Sequence, residues 1–83
     1  MILGRVIGNV VSTKKEESLI GMKLMKVEIT EGSENGKHLV AVDMIGAGNG
    51  EEVIITTGSS ARKALKNGNS DAPVDAIIVG IVD

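Results

Sequence analysis

The sequence predicts a mainly β fold: a small closed or half-closed barrel of five short strands, with one short helix between the fourth and fifth. Two observations carry this. Val and Ile dominate the apolar residues and fall in short runs separated by Gly, Asn and Ser, the pattern of strands and turns. Only one stretch, after Gly58, reads as a helix.

A first strand is predicted over residues 2–13, with Gly4 and Gly8 marking bends or bulges in a tightly curved sheet. The polar run 14–18, KKEES, follows as a loop. A second strand covers residues 22–30, where Met25, Val27 and Ile29 alternate with Lys26, Glu28 and Thr30. The segment EGSENG, 31–36, ends in an Asn-Gly pair and predicts a hairpin. The third strand, 37–44, puts Leu39, Ala41 and Asp43 on one face and Val40 and Val42 on the other. A fourth strand spans 52–57 between two glycine clusters. Ser59 or Ser60 is the predicted N-cap of a helix over 61–66 that Gly68 closes. Pro73 punctuates, and VDAIIVGIVD, 74–83, forms a last, mostly buried strand. No repeat, low-complexity segment or linker interrupts the 83 residues, so they are expected to form one domain, 1–83.

So short a chain buries roughly 60–65% of the surface its unfolded form exposes, and its core is thin. Domains of this size lean on a disulfide, a metal or a partner subunit. There is no Cys and the only His is His38, which leaves subunit association. The net charge is −2 and Lys and Glu are interspersed, without the basic stripe of a polyanion-binding surface. Phe, Tyr and Trp are absent, so no platform exists for stacking bases or sugars. The start, MILGRV, lacks the pattern of a signal peptide, and no apolar run approaches the roughly 20 residues of a membrane span. A cytoplasmic protein without nucleic acid or membrane partners is expected.

The glycine clusters raise the question of a phosphate site. A P-loop needs Gly-x-x-x-x-Gly-Lys-Ser/Thr leading into a helix. Here GAGNG is followed by Glu51-Glu52, of the wrong sign, and then by a strand. The dinucleotide fingerprint fails as well, because Gly46, Gly48 and Gly50 are spaced Gly-x-Gly-x-Gly. The glycines are therefore expected to supply positive φ in a tight turn. Gly58-Ser59-Ser60 does precede the helix, where Ser hydroxyls ordinarily satisfy the first amides. Arg62 is placed in the first helical turn, unfavourable for a cation, which implies a carboxylate partner elsewhere, in the same chain or across a subunit boundary. Catalysis and metal binding find no foothold: His38 is expected as an exposed strand-end residue, Glu51-Glu52 as a solvated or intersubunit pair, and the four Met residues as core filler. No cofactor is expected.

At three segments the chain resembles the CcmL/EutN family, the pentameric vertex proteins of bacterial microcompartment shells. GRVIGNVVSTKKEESLIGMKLMKVEI is similar to that family's opening strand, Thr-x-Lys loop and Leu-x-Gly-x-Lys-Leu second strand. VAVDMIGAGNGEEVIITTGSSAR is similar to its Ala-x-Asp-x-x-Gly-Ala-Gly-x-Gly-Glu and Gly-Ser-Ser-Ala-Arg segments, and APVDAIIVGIVD to its Pro-Val-Asp and Ile-Val-Asp ending. The resemblance implies a five-stranded, OB-like β-barrel with a short helix, assembled as a homopentamer that caps the vertices of a polyhedral shell whose facets are tiled by hexamer-forming proteins. It implies no catalytic activity. By position, Asp43, Gly46, Gly48, Glu51, Gly58, Ser59, Ser60, Ala61, Arg62, Pro73, Val74 and Asp75 match the family's characteristic residues and are expected to serve fold and assembly. Many members continue past this Ile-Val-Asp with a further segment. Two other readings stay open: an OB-like module binding an oligonucleotide or anion at its glycine loops, and a small enzyme using Asp43 or Glu51.

Overall fold

A computed structural model describes residues 1–65 and 72–83. Its elements are β1 (Ile2–Val10), a 3-10 turn (Glu17–Leu19), β2 (Lys23–Ile29), β3 (His38–Asp43), β4 (Glu52–Thr57), α1 (Ser59–Lys63) and β5 (Ala76–Ile81). The strands close into a barrel in the order β1-β2-β3-β5-β4. All pairs are antiparallel except β3–β5, which is parallel and held by two residue pairs, Val42 with Ile77 and Asp43 with Ile78.

β1 lies between β2 and β4, and Gly4 faces Ile29 on one side and Val53 on the other. A Cβ there would sit 2.5 Å from Val27 Cγ1 and 3.0 Å from the Glu28 carbonyl, so a side chain would push the curled sheet open. Gly4 is thus a point of close approach. The bulge lies further on, where the β1–β2 register shifts between Val6 and Gly8. β1 ends at Val10, short of residue 13, because Ser12 turns the chain by donating from its hydroxyl to the Lys14 carbonyl at 2.8 Å. The predicted loop at 14–18 carries the start of the 3-10 turn, whose Glu16 carboxylate accepts from the Ser18 amide and hydroxyl.

The hairpin between β2 and β3 is present, but its turn differs from the compact one that Asn-Gly suggests. Gly32 and Gly36 have positive φ and Asn35 does not, so Asn35-Gly36 cannot form a type I′ turn. A longer loop instead closes through Gly36 N–H to the Ile29 carbonyl and Ile29 N–H to the Lys37 carbonyl, both at 2.8 Å.

Two apolar clusters result. The barrel interior holds Val6, Met25, Val27, Ala41, Ala47, Val53, Ile55, Ala76 and Ile78. A second cluster lies on the outer face, where Val42 and Ile77 are covered by Ala61 and Leu65 from the helical segment and by Ala72 and Val74. Met22 and Met44 pack against it. Met1 is 90% exposed and departs from the expected role of core filler.

α1 corrects the predicted cap. The helix runs over Ser59–Lys63, so Ser59 and Ser60 lie inside it. Gly58 is the N-cap, and no side chain makes a capping bond. Gly58 takes φ 80° and ψ −165°, a conformation open only to glycine, and its carbonyl accepts from the Ala61 amide at 3.0 Å. The predicted helix end at Lys66 and its closure at Gly68 lie outside the described residues. β5 is shorter than predicted, because Val74 and Asp75 precede the strand.

Candidate functional site

The matched residues fall into two groups. The first is built on Asp43, the last residue of β3, whose side chain is fully buried. Its Oδ1 accepts from the amides of Ile45 at 3.0 Å and Gly46 at 3.1 Å, and its Oδ2 from that of Ala47 at 2.8 Å. The next amide is also taken, since Gly48 N–H donates to Glu51 Oε1 at 2.7 Å. Gly46 (φ 89°) and Gly50 (φ 88°) supply the positive φ expected of the cluster, whereas Gly48 does not. Gly50 ties the loop to β1: its amide donates to the Val6 carbonyl at 2.8 Å, and its carbonyl accepts from Arg5 Nη1 at 2.7 Å.

Four successive amides, residues 45–48, therefore converge on carboxylates as a nest does on an anion, but the anions are the protein's own. An incoming phosphate would have to displace a buried Asp43 and then Glu51. Lys23 completes the arrangement. Its Nζ lies 3.5 Å from Asp43 Oδ2 and 3.4 Å from the Ala47 carbonyl, which it reaches from β2 because Lys23 is Asp43's register partner. Neither Lys23 nor Arg5 was among the residues predicted to matter. The strand register was the available signal for Lys23, since extending the hairpin pairing places it opposite Asp43.

The second group gathers outside the barrel. Gly58 N–H donates to the Asp75 carbonyl at 2.8 Å, tying the start of α1 to the segment that leads into β5. Ala61 and Val74 are buried together in the outer cluster, while Ser59, Pro73 and Asp75 are exposed. Arg62 is half-buried and falls in the last turn of a five-residue helix, where a cation is favoured. The expectation of an unfavourable first-turn position is therefore corrected. Among the described residues no carboxylate pairs with Arg62. His38 opens β3 on the surface, as expected, and is remote from both groups in the chain's pairing pattern. Among the described residues no cluster of His, Cys, Asp or Glu could hold a metal ion. No helix among them is long and apolar enough to cross a membrane.

This barrel, with its carboxylate-filled glycine loop, has a recognised family. The model of the family described as ethanolamine utilisation protein EutN/carboxysome matches residues 1–83. The chain belongs to the EutN/CcmL family. It is 53% identical over 85 residues to the bacterial microcompartment shell vertex protein GrpN of Rhodospirillum rubrum, covering 100% of this chain and 93% of that protein. It is 46% identical over 85 residues to the carboxysome shell vertex protein CcmL of Synechocystis, covering 100% of this chain and 83% of that one. The solved structure of the GrpN pentameric microcompartment shell protein from Rhodospirillum rubrum superposes with a TM-score of 0.84 at 50% identity, covering 100% of this chain and 94% of that one. The resemblance seen in the sequence is thus a true EutN/CcmL relationship, and the five-stranded barrel with its helix before the last strand is the fold those proteins share.

Proposed function

We propose that this chain is a structural subunit that assembles as a ring of five and caps the vertices of a polyhedral bacterial microcompartment shell in the cytoplasm, without catalytic activity of its own. The observation that carries this is end-to-end membership in the EutN/CcmL family, with relatives named as shell vertex proteins and one solved as a pentamer. The structure supports it against anion binding at the first glycine loop, where the amides of residues 45–48 are already bound to Asp43 and Glu51.

Geometry supplies the mechanism. A closed shell tiled by hexamer-forming facet proteins needs five-fold units to acquire curvature, and head-to-tail contacts form a ring when their rotation closes. The partners are therefore further copies of this chain and the hexamer-forming facet proteins. Nucleic acid and membrane have no part, in keeping with the acidic balance and the absence of aromatic residues. Residues 1–83 act as one domain. Within it Asp43, Gly46, Gly48 and Glu51 fix the fold of the loop, whereas Gly58, Ser59, Arg62, Pro73 and Asp75 shape the outer surface offered to neighbours.

The test is absolute mass by light scattering after size exclusion, with refractive-index detection because the chain has no Trp, Tyr or Cys. Five chains of 8.6 kDa give a species of about 43 kDa. A monodisperse 8.6 kDa monomer would overturn the proposal while leaving the fold in place.

A further inference from the structure

The Asn-Gly pair occurs at 35–36, 49–50 and 67–68, the last outside the described residues. The two described pairs share one geometry. Each sits at the centre of a four-residue turn, closed by Lys37 N–H to the Glu34 carbonyl at 3.0 Å and by Glu51 N–H to the Gly48 carbonyl at 3.2 Å. Gly36 (φ 93°) and Gly50 (φ 88°) have positive φ and the asparagines do not, the pattern of a type II turn. Each glycine also opens a bulge, in which two residues face one across the ladder. Gly36 N–H donates to the Ile29 carbonyl and Ile29 N–H to the Lys37 carbonyl, both at 2.8 Å. In the same way Gly50 N–H donates to the Val6 carbonyl at 2.8 Å, and Val6 N–H to the Glu51 carbonyl at 3.0 Å.

This geometry governs a reaction to which Asn-Gly is prone, because glycine leaves the attacking nitrogen unhindered. The glycine amide nitrogen loses its proton to water and bonds to the asparagine Cγ. The side-chain nitrogen takes up a proton and leaves as ammonia. Water then opens the cyclic imide. Breaking its Cγ–N bond leaves an aspartyl residue, and breaking the other C–N bond leaves an isoaspartyl residue, whose main chain runs through Cβ and Cγ. Both asparagines are exposed, and among the described residues their carboxamides make no hydrogen bond, so each Cγ is open to attack. The nitrogens are not. Each is held as a donor to a carbonyl, and a type II turn sets the asparagine ψ at about +120°, which swings the nitrogen away from the side chain. Reaction waits for the turn to open.

We propose that Asn35 is a site of spontaneous deamidation in the folded protein, whereas Asn49, in the same kind of turn, is shielded by the barrel. What differs is the cost of opening. Residues 31–38 are all exposed, and the ion pair there, Lys37 with Glu34, lies within the turn itself. The turn at 48–51 is held from outside. Arg5 Nη1 donates to the Gly50 carbonyl at 2.7 Å, Val6 belongs to the barrel core, and Ala47 is fully buried with its amide on Asp43. Freeing the Gly36 nitrogen opens the end of a hairpin, but freeing that of Gly50 breaks into the core. Conversion at position 35 adds a negative charge beside Glu34 and leaves the barrel closed. Each subunit thereby carries a chemical record of its age.

The experiment incubates the native protein at mildly alkaline pH beside the chain unfolded in denaturant at the same pH. Cleavage after lysine puts the three pairs on separate peptides, 27–37, 38–63 and 67–83, and the first two contain no other Asn. Mass spectrometry follows the change from amide to acid, and enzymatic methylation of isoaspartyl carboxylates identifies the rearranged product. In the native protein peptide 27–37 is expected to convert at least about tenfold faster than 38–63, and in denaturant the two are expected to agree within about twofold. An equal or faster native rate at Asn49 would overturn the proposal. So would an Asn35 that stays unconverted in the native protein over the time in which the unfolded chain reacts.

Discussion

The loop that follows β3 and the turn that opens α1 are both glycine-rich and both end a strand, yet they are held in opposite ways. Residues 45–48 donate four amides to two carboxylates, and the first of these, Asp43, is buried. At Gly58 no side chain caps the helix; the turn depends on the backbone freedom of glycine and on Ala61 and Leu65 packing into the outer cluster. The amides of one loop are satisfied by carboxylates at its own ends, and the other turn is completed by tertiary contact. The difference explains why a glycine-rich stretch is no evidence of a ligand. What decides is whether its amides are free, and in the better-formed nest they are occupied.

The largest expected effect comes from removing the carboxylate that closes the first loop. Asp43→Ala leaves three amides, those of Ile45, Gly46 and Ala47, without their acceptor in a site where Ala47 is fully buried. An unsatisfied buried donor costs about 1–3 kcal/mol; the Ala47 amide is buried while water can reach those of Ile45 and Gly46, so the variant should lose about 2–3 kcal/mol. That is a large share of the roughly 5–15 kcal/mol of a typical domain. Denaturant unfolding at fixed protein concentration measures it, since assembly is linked to stability. Asp43→Asn keeps a carbonyl acceptor and should lose about half as much. If Asp43→Ala matched the wild type, the glycines alone would be holding the loop and the contrast would collapse.

Much of this was legible in the sequence and some was not, for physical reasons. The β4 span and the inward alternation of Met25, Val27 and Ile29 follow from period-two patterning, whereas the third strand, predicted over 37–44, is one residue shorter at each end, His38–Asp43. The same patterning puts Val40 and Val42 on one face and correctly so, yet Val42 is 3% exposed and Val40 49%. Their burial depends on where α1 and the 72–76 segment cross the outer face, a tertiary fact that a periodicity does not contain. The helix cap was missed for a related reason. Ser is the better capping residue by type, but Gly58 takes the glycine-only backbone angles that bring the chain off β4, and the helix starts at Ser59, two residues before the predicted 61. Asp43 stood out by its motif, whereas its partner Lys23 is visible only once the hairpin register is known.

The second turn should respond to backbone rather than side-chain changes. Gly58→Ala places a Cβ in a φ, ψ region reserved for glycine, and although the Cβ meets no atom within 4 Å, the strain should cost about 2 kcal/mol. Removing the Ser59 hydroxyl by Ser59→Ala should change unfolding free energy very little, since it caps nothing. A loss near the 1 kcal/mol typical of an N-cap would mean that the hydroxyl supports the turn after all. In the first loop, Glu51→Ala removes one exposed bond to the Gly48 amide and should cost about 1 kcal/mol, well below Asp43→Ala. Equal losses from the two would show that burial of the carboxylate contributes nothing to the hierarchy.

The smallest effect sharpens the comparison most directly, because it sets a short ion pair against a long one. Lys37 Nζ lies 2.6 Å from Glu34 Oε2 in the β2–β3 loop, closer than the 3.5 Å between Lys23 and Asp43. Both members of the shorter pair are exposed, their side chains at 70% and 53%, so water screens the attraction. The hydrogen bond from Lys37 to Glu34, and then the Glu34 charge, hold the lysine pKa above its ordinary value. A raised lysine pKa stabilises the fold while the group is protonated. The contribution is therefore fully present below the ordinary lysine pKa of about 10.4 and fades as pH climbs through the folded-state value. Lys37→Ala should leave unfolding at pH 7 unchanged within error, and any difference from wild type should vanish in strongly alkaline solution. A loss at pH 7 as large as that of Asp43→Ala would mean that proximity of charge, and not the burial of an acceptor beneath its amides, sets what these contacts contribute.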